Sequence, residues 1–222
     1  QRALERGNLH TRMPAMTDAD DLPQLYLITP TELDLDTFPA RLAACLDAQQ
    51  IACVRLSLAT RDEDKIGRAA DAIRAITSER DVALVIERHV QMVARHGLDG
   101  VHLLDGARSL RAVRKELGED AIVGTFCGQS RHDGMTAGEL NADYVSFGPV
   151  GETALDDGSR ATLELFDWWS KMIEVPVVAE GALDIELIRA VSPHVDFFGI
   201  GDEIWGTDDP ALTLRQMIGA MS

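Results

Sequence analysis

The sequence predicts an α/β protein built as a single (β/α)8 TIM barrel. Short apolar runs alternate with amphipathic segments from Gln24 to the C-terminus, and the runs number eight. Strict alternation of this kind allows an open doubly wound sheet or a closed barrel. Eight repeats of similar length favour closure, and the turn Thr29-Pro30-Thr31 after the first run has none of the glycines of a dinucleotide-binding fingerprint. At 222 residues the chain is slightly short for such a barrel, yet long enough to bury one large core without disulfides or metals.

The expected strands, in order, are Gln24–Thr29, Ile51–Leu56, Ala83–Ile86, Gly100–Leu103, Ala121–Phe126, Tyr144–Phe147, Val175–Ala179 and Phe197–Ile200. Each is too short for a helix, and most are rich in β-branched residues or leucine, as strands buried on both faces should be. Helical patterns fill the gaps: Thr37–Ala48, Asp62–Glu79, His89–His96, Leu110–Leu117, Leu163–Met172, Ile185–Val191 and Pro210–Met221. In Asp62–Glu79, for example, Ile66, Ala69, Ala70, Ile73 and Ile76 recur at helical spacing while charges occupy the other face. Ser130–Leu140 is expected to be short or irregular, because Gly134 and Gly138 weaken a helix. The barrel thus spans residues 24–222. The polar stretch Gln1–Pro23 has no apolar h-region, so it is expected to be a flexible tail and not a signal peptide.

A formal net charge of −16 and a pI of about 4.6 argue against nucleic acid and anionic membranes as partners, since both are bound by neutralising phosphates. No apolar run approaches membrane-spanning length. Cys45, Cys53 and Cys127 lie in apolar stretches with no paired spacing, which reads as reduced thiols in a cytoplasmic protein. The expected partner is a small-molecule ligand at the C-terminal mouth of the barrel, where such folds keep their sites. A homo-oligomer is left open.

Five stretches carry a family resemblance. They are Leu25-Tyr26-Leu27-Ile28-Thr29, Gly97-Leu98-Asp99-Gly100-Val101-His102-Leu103, Ala142-Asp143-Tyr144-Val145-Ser146-Phe147-Gly148-Pro149-Val150, Val175–Ala179 with Gly181, and Val195–Trp205. In this order and spacing they resemble the thiamine phosphate synthase and TenI family, the sixth-strand stretch being the most specific. The resemblance implies a (β/α)8 barrel with a cradle of backbone N–H groups for phosphate at the ends of the last two strands. Synthase members join an aminopyrimidine pyrophosphate to a thiazole phosphate with the help of Mg²⁺; TenI members aromatise the thiazole phosphate.

The chain departs from that pattern at the residues it implies for chemistry. Where synthases carry Gln-x-Arg-x-Lys, this sequence has Arg55, Ser57 and Ala59, so both pyrophosphate-binding cations are replaced. The Asn-Asp-Arg run with its Mg²⁺ ligand becomes Glu87-Arg88-His89, and Asp105 falls early for the second metal carboxylate. Thr153 is kept, but the following Thr and Lys fall at Leu155 and Asp156. The Gly-Gly of the cradle becomes Gly181-Ala182, preceded by Glu180, and the Ser near the last strand becomes Asp202. The TenI histidine aligns near Gly128, between Cys127 and His132. These departures predict no bound metal or other cofactor, and a barrel diverged in substrate or reduced to a non-catalytic binding or regulatory role. Synthase activity surviving on shifted ligands is the third possibility.

The pocket candidates are therefore Arg55, Glu87, Arg88, His102, Asp105, Gly148, Thr153, Glu180, Gly181, Ala182, Asp202 and Trp205. Catalytic residues are not assigned. His102 either bonds a ligand or is a buried histidine satisfied by the backbone; Gly148 and Thr153 serve either a ligand or turn chemistry. Trp205 is expected to wall the pocket, and Trp168 and Trp169 to pack an outer helix. Cys127 with His132 forms a weak thiolate–base pair candidate. Two arrangements of the mouth are expected: either it is polarised, with Arg55 and Arg88 on one side, Glu180 and Asp202 on the other, and Asp202 filling the cradle, or these four groups pair with one another or with solvent and close the pocket.

Overall fold

Eight parallel strands close on themselves in sequence order, β8 returning to pair with β1. The computed structural model describes residues 22–153 and 158–221. The strands are β1 (Gln24–Ile28), β2 (Ile51–Leu56), β3 (Ala83–Glu87), β4 (Gly100–Leu103), β5 (Ile122–Phe126), β6 (Tyr144–Phe147), β7 (Val177–Glu180) and β8 (Phe197–Ile200). The helices are α1 (Phe38–Ala48), α2 (Glu63–Ser78), α3 (Val90–His96), α4 (Leu110–Leu117), α5 (Arg131–Glu139), α6 (Leu163–Met172), α7 (Ile185–Val191), α8 (Asp202–Trp205) and α9 (Pro210–Ile218). The closed barrel is the expected one. The expected tail lies outside the described residues apart from Leu22 and Pro23. None of the described helices is long and apolar enough to cross a membrane.

Helix starts follow local chemistry. The side chains of Asp62, Ser130, Thr162, Asp184 and Asp209 each accept a backbone N–H in the first turn of the helix they precede. Two segments differ from expectation. Helix α5 is a regular nine-residue helix, not a short or irregular one. Ser130 caps it, and Gly134 lets it approach the core: a Cβ there would lie 2.7 Å from the Trp169 ring. Close packing outweighs the low helix propensity of glycine. Helix α8, absent from the sequence reading, is a single turn between β8 and α9, the short extra helix that barrels often carry at this point.

The N-terminal end of the barrel is fastened by a repeated device. Asp99, Asp143 and Asp196 immediately precede β4, β6 and β8. Each carboxylate accepts the N–H of a residue on the preceding strand, Leu84, Val123 and Val177, at 2.7 Å. Arg74 and Arg114 neutralise the first two carboxylates. Asp196 differs in that burial raises its pKa against the pull of the Val177 N–H.

Two apolar cores result. The larger lies between sheet and helices. The smaller plugs the barrel axis with Tyr26, Cys53, Ala83, Val85, Ile122, Tyr144, Val178 and Phe197. Above this plug the axis is polar, and the site begins there.

Candidate functional site

Strand register sets the polar layer. His102, Gly124 and Tyr144 are neighbours across β4, β5 and β6, while Glu180, Gly199 and Tyr26 are neighbours across β7, β8 and β1. Gly124 leaves the space that the Tyr144 ring fills; a Cβ on it would lie 2.0 Å from Tyr144 Cζ. The rings of Tyr144 and His102 stack at 5.7 Å, and Tyr26 meets Tyr144 edge-on at 5.6 Å.

A continuous hydrogen-bonded chain crosses this layer. Glu180 accepts from Arg55 through Oε2 at 2.9 Å and Oε1 at 3.2 Å. Arg55 Nη1 lies 2.7 Å from His102 Nε2, His102 Nδ1 2.9 Å from Tyr144 Oη, and Tyr144 Oη 2.7 Å from Tyr26 Oη. A guanidinium can only donate, so Nε2 of His102 must accept. The ring proton is thereby assigned to Nδ1 and donated to Tyr144, whose own proton goes to Tyr26. His102 is neutral in this chain: burial and then the Arg55 charge hold its pKa well below the usual range. Burial raises both tyrosines. Burial opposes the charge on Arg55, but the Glu180 carboxylate more than offsets it and the guanidinium pKa is raised.

Glu87 extends the network toward solvent. Its Oε2 accepts from Ser57 Oγ at 3.1 Å and lies 3.7 Å from Arg55 Nε, and its Oε1 lies 3.3 Å from Arg88. Of the two positions that the resemblance implies for Mg²⁺ carboxylates, one holds the Arg88 guanidinium and the other holds Asp105. Glu87 is committed to the partners above, whereas Asp105 is exposed, accepts from Ser109, and lines a separate depression of about 580 Å³ with Cys127 and Asp133. Among the described residues, no three His, Cys, Asp or Glu side chains are disposed to hold a metal ion. A guanidinium at the Arg88 position does not suit a hard cation that is bound through oxygen ligands.

The mouth proper is a cavity of about 280 Å³ at the ends of β1, β2, β7 and β8. Arg55, Thr153, Glu180, Gly181, Ala182 and Asp202 line it, together with Thr29, Thr31, Ser57 and Glu203. One guanidinium therefore faces three carboxylates among the described lining residues. Glu203 Oε2 accepts the Gly201 N–H at 2.7 Å and Oε1 accepts the Leu183 N–H at 3.0 Å, joining the loops that follow β7 and β8.

Several expectations need correction. Of the two expected arrangements, Arg55 and Glu180 adopt the paired one and do not face each other across an open mouth. Arg88 follows β3 at positive φ, is largely exposed and pairs with Glu87. Asp202 is exposed and lies two residues beyond β8, and it is Glu203 that accepts the Gly201 and Leu183 amides of the two loops. His102 is fully buried and satisfied by side chains, not by backbone or cavity. Trp205 does not wall the cavity: its Nε1 donates to Ile28 O at 2.6 Å and its ring packs on Phe38. Gly148 lies against the Glu180 carbonyl, where a Cβ would be 2.4 Å away, so close approach requires it. Burial pushes the Cys127 thiol up to about 12, and His132 is exposed, which leaves no activated thiolate. Trp169 is core, donating to Val175 O. Leu155 and Asp156 lie outside the described residues.

Sequence reasoning missed Tyr26, Tyr144 and Glu203 as members of the site. A local signal for Glu203 existed: a Glu inside the first turn after Gly201 can reach back to that residue's N–H, as in a capping box. The tyrosines gave none, since an inward strand tyrosine looks like any other core residue.

Residues 25–199 match the family model described as thiamine monophosphate synthase. A thiamine-phosphate synthase of Rhodospirillum centenum is 40% identical over 192 residues, 86% of this chain and 91% of that protein. One from Erythrobacter litoralis is 34% identical over 202 residues, 88% of this chain and 94% of that protein. Among solved structures, thiamine phosphate pyrophosphorylase from Pyrococcus furiosus superposes with a TM-score of 0.76 at 20% identity, covering 96% of this chain and 99% of that one; it shares the fold.

Proposed function

We propose that this chain, which belongs to the thiamine monophosphate synthase family, keeps the family's barrel but uses its mouth for a small ligand other than the phosphorylated synthase substrates. The observation that carries this is the commitment of Arg55. The one cation lining the mouth among the described residues is bonded twice to Glu180 and flanked by Glu87. Its charge is neutralised internally, so little attraction remains for a pyrophosphate. Arg88, at a position that the resemblance implies for a Mg²⁺ carboxylate, adds to this, because phosphoryl chemistry relies on such electrostatic contacts for several kcal/mol of transition-state stabilisation. A mouth with hydroxyls from Thr31 and Thr153 and a surplus of carboxylate suits a neutral polar or cationic head group.

One observation favours a second reading, a barrel that binds without catalysis. His102, Tyr26 and Tyr144 all have pKa values driven away from neutrality, whereas an acid–base catalyst works best near the ambient pH. A direct assay tests the first reading: purified protein, aminopyrimidine pyrophosphate, thiazole phosphate and Mg²⁺. No thiamine phosphate is expected, and Mg²⁺-dependent product would overturn the proposal. A thermal-shift panel of neutral, cationic and phosphorylated heterocycles then identifies the ligand class. Recovery of the ligand unchanged supports the second reading.

A further inference from the structure

Barrels of this type commonly hold phosphate on backbone N–H groups of the loops after the seventh and eighth strands, beside a short extra helix. Here those loops end β7 and β8, and the short helix is α8. Glu203, two residues past Gly201, turns back so that its carboxylate spans both loops. One oxygen takes the Gly201 N–H at 2.7 Å, and the other takes the Leu183 N–H at 3.0 Å. The side chain lines the mouth cavity and is partly buried.

We propose that Glu203 is the specificity-determining residue of the mouth: it acts as an internal anion that occupies two backbone donors a phosphate would need. This deepens the functional reading above and rests on it for the statement that the mouth takes a ligand. The physical case has two parts. A carboxylate accepting two N–H groups makes charge-assisted hydrogen bonds, so an entering anion must displace them. A phosphate placed on the same loops would also sit within a few ångströms of a fixed negative charge in a partly desolvated cavity, where like charges repel strongly. Nearby Asp202 lines the same cavity but is exposed, and both amides donate to Glu203. The charged carboxylate that holds these donors, not the general surplus of negative charge around the mouth, is what excludes phosphate.

The two residues supply the test. Inorganic phosphate and sulfate are titrated by calorimetry into wild type, Glu203→Ala and Asp202→Asn, and the Leu183 and Gly201 amides are followed by ¹H–¹⁵N NMR. Wild type and Asp202→Asn are expected to show no binding at millimolar anion. Glu203→Ala is expected to bind at least about tenfold more tightly, with both amides shifting. Wild-type binding at those amides as tight as that of Glu203→Ala would overturn the proposal, as would equal gains from both variants. If Glu203→Ala does not fold, Glu203→Gln decides, since it keeps the side chain's size and loses its charge: a gain supports the proposal and no gain overturns it. The readout is anion binding, so it is separable from the assay above. A wild-type protein that makes thiamine phosphate sinks the functional reading, whereas only the anion titrations decide the role of Glu203.

Discussion

Arg55 on β2 and Glu180 on β7 form a two-point ion pair inside the barrel mouth, with contacts of 2.9 and 3.2 Å and both residues buried. The pair is the junction between the tyrosine–histidine chain below it and the solvent-facing carboxylates above. Breaking one side of a buried pair leaves an uncompensated charge, which typically costs about 3–5 kcal/mol. Glu180→Ala is therefore expected to lose stability on that scale in urea denaturation. The double variant Arg55→Met, Glu180→Leu should lose less than Glu180→Ala alone. Strict additivity of the two sites would refute the coupling.

His102 makes stability pH-dependent, and the sign is fixed by its environment. Its folded pKa is depressed by burial and then by Arg55, while the unfolded value is about 6.5. Below about pH 6.5 the unfolded chain binds a proton that the folded one refuses, so stability falls as pH drops, by up to about 1.4 kcal/mol per pH unit for this group. His89, depressed by burial and Arg88, acts in the same direction. Denaturation curves at pH 7.5, 6.5 and 5.5 should show the loss. The variant His102→Gln, which keeps a donor and an acceptor but does not titrate, should flatten it.

Removing hydroxyls from the chain should have unequal effects. Tyr144→Phe orphans both the His102 Nδ1 proton and its partner Tyr26, whereas Tyr26→Phe deprives only Tyr144. The first is expected to cost about 1–3 kcal/mol and the second about 1 kcal/mol. Gly124→Ala, which drives a methyl into the Tyr144 ring, should cost about 1–3 kcal/mol or more and displace the same ring. Equal costs for the two tyrosine variants would argue against Tyr144 as the two-partner member of the chain.

At the opposite end of the barrel, Asp196 should behave unlike Asp143. Burial raises the Asp196 pKa, so the carboxylate's charge costs more there than in water, and Asn can still accept the Val177 N–H. Asp196→Asn is expected to be neutral or slightly stabilising, while Asp196→Ala loses about 1–3 kcal/mol by leaving that N–H unpaired. Asp143→Asn should cost stability, because it removes the charge paired with Arg114 at 2.7 Å. Thermal melts of the three variants distinguish these outcomes.

Most of the architecture was legible in the order of the residues. Strand starts and ends fell within a residue or two of expectation, because buried parallel strands are short apolar runs and their helices carry an apolar stripe and a capping side chain at the first turn. The misreading of α5 came from treating Gly134 as a weak helix former, when its neighbour in space, Trp169, lies 35 positions away. The site was half legible. Position along the strands placed Arg55, Thr153, Glu180, Gly181, Ala182 and Asp202 at one mouth, and the cavity contains all six.

Alternation and spacing are properties of neighbouring residues, so the chain order alone was sufficient to specify a closed (β/α)8 barrel. Which charges neutralise one another was decided only when β8 closed on β1. Arg55 and Glu180 are separated by 125 positions, and His102 and Tyr144 by 42, so no local pattern relates them. Closure brings these inward side chains within reach of one another across a narrow axis. A buried guanidinium must then take the partners that geometry offers, because leaving it unpaired would cost several kcal/mol.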